Sequence, residues 1–339
     1  MTTVQKGLIG TQDIAWDDGT GNTFTRKTST GRSIVLDRMP GVPLSSFGSL
    51  ALAVEKIGTN SATLFLNRDD SSTATVPANI AVVPVIGKIM SGTVTWNGPI
   101  VGDPKFQWLS GTGHTIGLGA TSIARPKWWL TNTTPGTTDM QTAMQYCVNA
   151  VGNKATILID ELMLIGDEIN LISGGGTIKG STSNSYFAGS SRNRFHIKNG
   201  IGDDTAKTLF WASTSINKGT WTIEDLNIDM NGSTSTGIQN EADANGSARF
   251  NIRHINLYNC GKHGILINVG GNTSRIEASY VSGPSGFLVA GEFVTAAFVT
   301  GSIGIYLGSS DTVAIGNEVL GGFWYGLQVT ATQAEAVSN

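Results

Sequence analysis

Charge is scarce in this sequence. Only 14% of its residues are Asp, Glu, Lys or Arg, where ordinary globular domains run near a quarter. The few charges nearly cancel to a formal net of −3, so nothing favours a polyanionic partner such as nucleic acid. Cysteine is scarcer still. Cys147 and Cys260 are the only two, far apart, and no CxxC pair or Cys/His cluster exists, which excludes a zinc site and a disulfide framework. No apolar run approaches the roughly 18 residues of a membrane span. The opening MTTVQKGLIGTQDIAW lacks the apolar core of a secretory signal, so the expectation is synthesis in a cytoplasm, no use of the usual export route and no membrane insertion. HExxH, GxSxG and calcium-binding nonapeptides are missing too. The glycine run at Gly174–Gly176 lacks the GK[ST] ending of a phosphate loop and reads as a turn. No metal and no organic cofactor is called for.

What the chain does have is glycine, 44 in 339 residues, among β-branched, Ser, Thr and Asn residues. That composition describes turns and short strands rather than charge-laced helices. Residues 1–44 hold one short strand candidate, Ser33 to Leu36, and read as an extended arm and linker. Residues 45–125 read as a small mostly-β unit with one helix, capped by Ser46, carrying Leu50, Ala53, Val54 and Ile57 on one face and stopped by Gly58. The clearest helix is expected over 138–151. Thr137 or Thr138 would cap it, and Met140, Ala143, Met144, Cys147 and Val151 recur at helical spacing.

The C-terminal third repeats. A Gly-apolar step recurs at Gly237, Gly264, Gly286, Gly304 and Gly326. Ahead of each runs an apolar triplet at positions 0, +3 and +5: Ile223/Leu226/Ile228, Ile252/Ile255/Leu257, Ile276/Ser279/Val281, Phe293/Ala296/Phe298 and Ile315/Glu318/Leu320. Position +3 is polar in the third and fifth copies. Such periods with short strands indicate a solenoid, and the strand-turn-strand unit fits a parallel β-helix, with Ile, Leu and Val stacked inward about 4.8 Å apart and Gly at sharp corners. The 138–151 helix is placed to cover the open N-terminal end. Only TATQAEAVSN follows Val329, so either further chain follows in the natural protein or neighbouring copies cover the other end.

The sequence RPKWWL, with Pro126, Trp128 and Trp129, followed by PGTTDMQTAMQYCV, with Gly136, Thr138, Asp139, Ala143 and Met144, resembles the entry motif of bacteriophage tailspikes and related pectate-lyase-like proteins. Residues from about 45 to 180 share in it. Lys127 replaces the usual acid and Leu130-Thr131 the usual Gly-Ala. The resemblance implies an all-β protein: a right-handed parallel β-helix over 126–339 capped by a short α-helix, preceded by the small unit and the arm. It implies a homotrimeric virion spike, assembled in the host cytoplasm, that attaches to tail or baseplate proteins through residues 1–44 and recognises host cell-surface polysaccharide. Some members also cleave the glycan as lyases or glycosidases. Trp128 and Trp129 then read as a buried boundary device rather than a sugar platform.

Stacking predicts which outward residues meet. At +1 come Glu224, Arg253 and Glu277, either a salt-bridge ladder that sets register or a strip in which Arg253 grips a sugar carboxylate. At +2 come Asp225 and His254, either an acid–base pair or a surface contact. At +6 come Asp229 and Tyr258. Asp225 and Asp229 lie too far apart along one strand for a two-carboxylate hydrolase, so Glu241 or Asp243 would have to pair across turns. Tyr280 is a candidate for stacking on a sugar ring. The catalytic candidates are therefore Asp225, His254, Asp229 and Tyr258, and the glycan-binding ones Arg253, Glu241, Asp243 and Tyr280.

Overall fold

The structure, a computed structural model, describes residues 7–9, 12–17, 23–27, 33–36, 41–171, 174–181, 195–212, 219–241, 249–271, 273–283, 288–289, 292–293 and 299–339. The chain divides into two compact units, Met1–Ser122 with Lys127–Thr131, and Ile123–Pro126 with Asn132–Asn339.

The first unit opens on a four-stranded antiparallel sheet, Gly7–Ile9, Gln12–Asp17, Thr23–Lys27 and Ser33–Leu36, in chain order. An extended arm was expected there. Strands this short carry too few alternations to register as periodic. Helix α1, Leu50–Ile57, follows. Ser49 caps it, not Ser46, by accepting the Leu52 N–H. Asp70 and Ser72 accept the Leu50 and Ala51 N–H groups, so the free donors of the first turn are met by side chains.

The rest of this unit holds a repeat that its sequence periodicity does not reveal. Three parallel columns are visited in rotation. One runs through Ala62–Leu66, Ile80–Pro84 and Ile100, a second through Asp70, Met90 and Leu109, a third through Ala74–Val76, Val94–Trp96 and His114–Ile116. Thr75, Thr95 and Thr115 share one register position, as do Val76, Trp96 and Ile116. Trp128 and Trp129 are buried here against Trp108 and His114. Trp128 Nε1 donates to the Pro104 carbonyl at 2.6 Å, and the ring centroids of Trp108 and Trp128 lie 5.4 Å apart. Large aromatic area holds the segment where no ladder does.

The second unit is built from three parallel sheets. The first contains Ile123–Ala124, Thr156–Ile159, Gly176–Gly180, Thr220–Glu224, Arg249–Arg253, Arg275–Glu277, Val313–Ile315 and Glu335–Val337. The second contains Met163–Ile165, Ile197–Asn199, Asn227–Asp229, Asn256–Tyr258, Tyr280–Ser282 and Glu318–Leu320. The third contains Ile169–Asn170, Thr208–Ala212, Thr236–Asn240, His263–Ile267, Val299–Leu307 and Phe323–Val329. From Thr156 onward the chain passes first, second, third and back to first, six times among the described residues. The core is a set of axial stacks: Ile157, Ile178, Ile223, Ile252, Ile276 and Ala314 form one, and Met163, Ile197, Ile228, Leu257 and Val281 another, every one fully buried.

Helix α2 runs Gln141–Val151 rather than 138–151. Neither threonine caps it; Asp139 Oδ1 instead accepts the Gln141 N–H and, from the first turn, the Gly166 N–H. Each N-terminal sheet edge is met differently. Ile123–Ala124 extends the first sheet. Met140 donates to Leu164 of the second, and Gly136 to Leu162 just before it. The amides of α2 serve the third: Gln145 bonds both the N–H and the carbonyl of Asn170, and Gln141 the carbonyl of Glu168. Exposed edges template unwanted pairing, and these contacts cover this one.

Three features of the expected repeat change. The glycines at Gly237, Gly264, Gly304 and Gly326 stand inside third-sheet strands, not at corners. A Cβ on Gly237 would meet Leu257, on Gly264 Val281, and on Gly304 Val319, each also striking the carbonyl of the next glycine in the column. Close packing of the second sheet on the third explains them. The first two sheets pass directly from Arg275–Glu277 to Val313–Ile315 and from Tyr280–Ser282 to Glu318–Leu320, so the copy at Phe293 is no turn of its own; Gly286, Ala296 and Phe298 lie outside the described residues. The last copy is displaced by one residue. Ala314, not Ile315, pairs with Ile276, and Val319 with Val281. Its inward +3 residue is then Asn317, which accepts the Ser279 N–H at 3.1 Å, donates to the Ile276 carbonyl at 3.0 Å and binds Asn339. Polar +3 residues thus form a satisfied interior ladder.

Candidate functional site

A strip of charge crosses the outer face of the first sheet. Its members follow inward isoleucines in the tripeptides Thr177-Ile178-Lys179, Thr222-Ile223-Glu224, Asn251-Ile252-Arg253 and Arg275-Ile276-Glu277. Parallel register places Lys179 beside Glu224, Glu224 beside Arg253 and Arg253 beside Glu277. Side chains alternate across a strand, so with Ile inward these four point outward.

Glu224 is the buried centre of the strip. Lys179 Nζ lies 2.9 Å from it, and Arg253 grips it from the other side through Nε and a terminal nitrogen. Burial pushes the Glu224 carboxyl up, but the hydrogen bonds and charges of Lys179 and Arg253 outweigh that and hold it below the usual range. The same contacts raise the Lys179 ammonium, Glu224 first and Asp225 next.

Asp225 and His254 stand at the corner between the first and second sheets, both left-handed, with φ of 56° and 52°. Ala278 (44°), Gly316 and Ser338 repeat the corner on later turns. The corner turns Asp225 toward the same side as its neighbour Glu224, so Lys179 Nζ also reaches Asp225 at 3.0 Å. The two carboxylate oxygens that share Lys179 Nζ, at 2.9 and 3.0 Å from it, are then at most about 6 Å apart. His254 Nδ1 lies 3.5 Å from Asp225 Oδ1, an ion-pair distance rather than a tight hydrogen bond.

The other expected residues are elsewhere. Asp229 does pair with Tyr258 in the second sheet, but its Oδ1 accepts the Asn231 N–H at 2.8 Å and so braces the next corner. Tyr258 is half-buried between Phe195 and Tyr280, with centroids 5.4 and 5.3 Å away. Tyr280 is only 4% exposed, so its ring offers no open stacking face in the single chain. Glu241 follows the third-sheet strand Thr236–Asn240, donates its N–H to the Ala212 carbonyl of that sheet, and is not brought to the strip. Asp243 lies outside the described residues. Sequence reasoning missed Lys179. Its signal was the Thr-Ile-Lys tripeptide, hidden because 45 residues separate Ile178 from Ile223.

His196 sits beside the strip at the same corner. Its Nδ1 accepts the Asn227 N–H at 3.1 Å, and burial lowers its pKa against the opposing charges of Asp225 and Asp160. Among the described residues, no group of three or more His, Cys, Asp or Glu is arranged to hold a metal ion, and no helix is long and apolar enough to cross a membrane.

The fold and site together define a predominantly β protein made of long parallel sheets with a strip of charged side chains on one face. Set against family models, curated proteins and solved structures, the chain finds no match in any of the three.

Proposed function

We propose that this chain is a right-handed parallel β-helix of the phage-tailspike kind, a homotrimer attached to the tail through its first 44 residues and recognising host surface polysaccharide. The rotation of the chain through three sheets, the axial apolar stacks and the RPKWWL entry motif support the fold reading. The observation that carries the functional one is the strip Lys179–Glu224–Arg253 with Asp225 and His254: polar side chains held by ion pairs on the outer face of a parallel sheet, a surface suited to a long hydroxyl-rich ligand. Residues 1–44, with their four-stranded sheet, would bind tail or baseplate proteins, and the virion is where the protein would act. The test is binding of the purified protein to host cells before and after their surface glycan is stripped, with its mass in solution. Three copies and glycan-dependent binding are expected. A monomer that binds stripped cells equally well would refute the reading.

A second reading, cleavage of the glycan, is favoured by one observation: Glu224 and Asp225 both contact Lys179. Neither carboxylate is free of a cation, so turnover requires the ligand to displace Lys179. Release of reducing ends distinguishes a glycosidase, and absorbance at 235 nm a lyase. No product from any host glycan eliminates this reading and leaves the first intact.

A further inference from the structure

One of the three sheets of the second unit is uncharged. Charged side chains stand on the first sheet, from Lys179 to Glu335, and on the second, at Lys198, Asp229 and Glu318. The six strands of the third, from Ile169–Asn170 to Phe323–Val329, contain no Asp, Glu, Lys or Arg. His263, the one histidine in them, accepts the Ile303 N–H on Nδ1 and is therefore neutral.

The outward side chains of this sheet form a line. Phe210, Ile238, Ile265 and Ile305 point inward and are fully buried, so the residue after each points outward. Parallel register aligns Trp211, Gln239, Leu266, Tyr306 and Gln328 over five turns, a row about 19 Å long at the ordinary strand spacing. Among the described residues, the exposed aromatic side chains are Trp324 and Tyr325, at 51% and 47%, and both stand on the last strand of this sheet. Aromatic side chains without charge are what the buried centre of a protein interface contains.

The missing charge also says which partner fits. A face that meets copies of itself around an axis sets every ionised group against the same charge. A face for a different protein has no such limit, because opposite charges can be matched across it. The row obeys the stricter condition. Trp211 and Leu266 are apolar, and the amides of Gln239 and Gln328 and the hydroxyl of Tyr306 are donor and acceptor at once, so each can bond its own copy.

We propose that the outer face of the third sheet is where copies of this chain meet, three of them with their third sheets turned to a threefold axis along the stacking direction. The charged first sheet then stays free for ligand. This inference rests on the homotrimer reading above and supplies the face that reading lacks.

The test follows the full-length chain by sedimentation equilibrium over a dilution series, as wild type and as Gln239→Glu, Gln239→Lys and Tyr325→Asp. Gln239→Glu keeps an acceptor for the Thr208 hydroxyl, and Tyr325 is already about half in water, so these variants are expected to fold with the circular dichroism of the wild type. The wild type is expected at three times the chain mass. Each variant alone is expected to need at least about tenfold more protein to assemble, because like charges then face one another. Mixing Gln239→Glu with Gln239→Lys is expected to recover assembly, and raised salt to weaken the mixed assembly. A trimer that all three variants leave intact overturns this face and leaves the homotrimer reading standing. A wild-type monomer overturns both. Folded Gln239 variants that fail alone and stay apart when mixed show that position 239 does not meet its own copies, and the proposal fails.

Discussion

Replacing Gly264 by Ala tests the packing of the second unit with a single methyl group. Its Cβ would lie 2.5 Å from Val281 Cγ1 and 2.5 Å from the Gly304 carbonyl oxygen. Ordinary van der Waals contact is nearer 3.5–4.0 Å. Val281 is fully buried and has little room to rotate, and Gly304 lies inside a strand paired on both sides. A new methyl in such a site costs about 1–3 kcal/mol. Reducing the freedom of the unfolded chain returns about 0.4–1 kcal/mol, leaving a net loss of about 1–2 kcal/mol. The same column contains its own control. A Cβ on Gly326 would find Val319 Cγ1 at 3.7 Å and nothing nearer, so Gly326→Ala is expected to keep the gain of about 0.4–1 kcal/mol and be slightly stabilising. Hydrogen exchange of the Ile265 and Ile305 amides in the full-length protein measures both variants under one set of conditions. Adding Val281→Ala to Gly264→Ala is expected to recover only part of the loss, since the carbonyl remains. Two variants of equal stability would refute the close approach of the sheets, and full recovery would show that the backbone is not the obstacle.

Asn317→Ala removes the acceptor of the buried Ser279 N–H and the donor to the Ile276 carbonyl; a loss of about 2–3 kcal/mol is expected in guanidinium unfolding, and a change under 0.5 kcal/mol would contradict the interior ladder. Acid should open the third sheet locally. His263 Nδ1 accepts the Ile303 N–H at 3.2 Å, and burial, with Lys262 nearby, lowers its pKa from 6.5 to about 4. The native state thus binds fewer protons than the unfolded chain between those values, and stability falls as pH falls through that window. Discounted for partial exposure, the loss is about 1–2 kcal/mol, checked by Ile303 amide exchange at pH 7 and 4.5; His263→Gln should flatten the difference. Gln145→Ala frees the Asn170 N–H and carbonyl at the first-turn edge. Faster exchange there and a rise in light scattering on storage are expected, and unchanged exchange would deny α2 its edge-covering role.

Much of the second unit was legible from Ile223 onward because strands alternate: with Ile223, Ile252 and Ile276 pointing inward on successive turns, Glu224, Arg253 and Glu277 fall into register on the outer face. The first two turns were not legible because a 45-residue gap separates Ile178 from Ile223, and a period cannot be counted across it. The last turn misled in another way. Ile315 is more apolar than Ala314, so hydropathy chose the wrong residue, whereas the fold chose the register that lets Asn317 complete its hydrogen bonds. In the N-terminal unit the positions of Thr75, Thr95 and Thr115 were in plain view, but single short strands of three residues gave no reason to align them.

The sequence by itself determined the class of architecture, the interior isoleucine column and the order of charges on one face, because each follows from the period of two residues along a strand and from a repeat in the chain. Only the tertiary structure decided the corners. Asp and His enter the left-handed region more readily than most residues, but Ala does so only at a cost, and the same corner on all three turns is held by the Asp225, His254 and Ala278 N–H bonds to the next turn's carbonyls. That corner swings Asp225 beside Glu224 and brings both to Lys179, 45 residues back from Glu224. A strand pattern places neighbours on opposite faces, so the meeting of these three side chains was settled by packing between turns and not by the order of residues along any one of them.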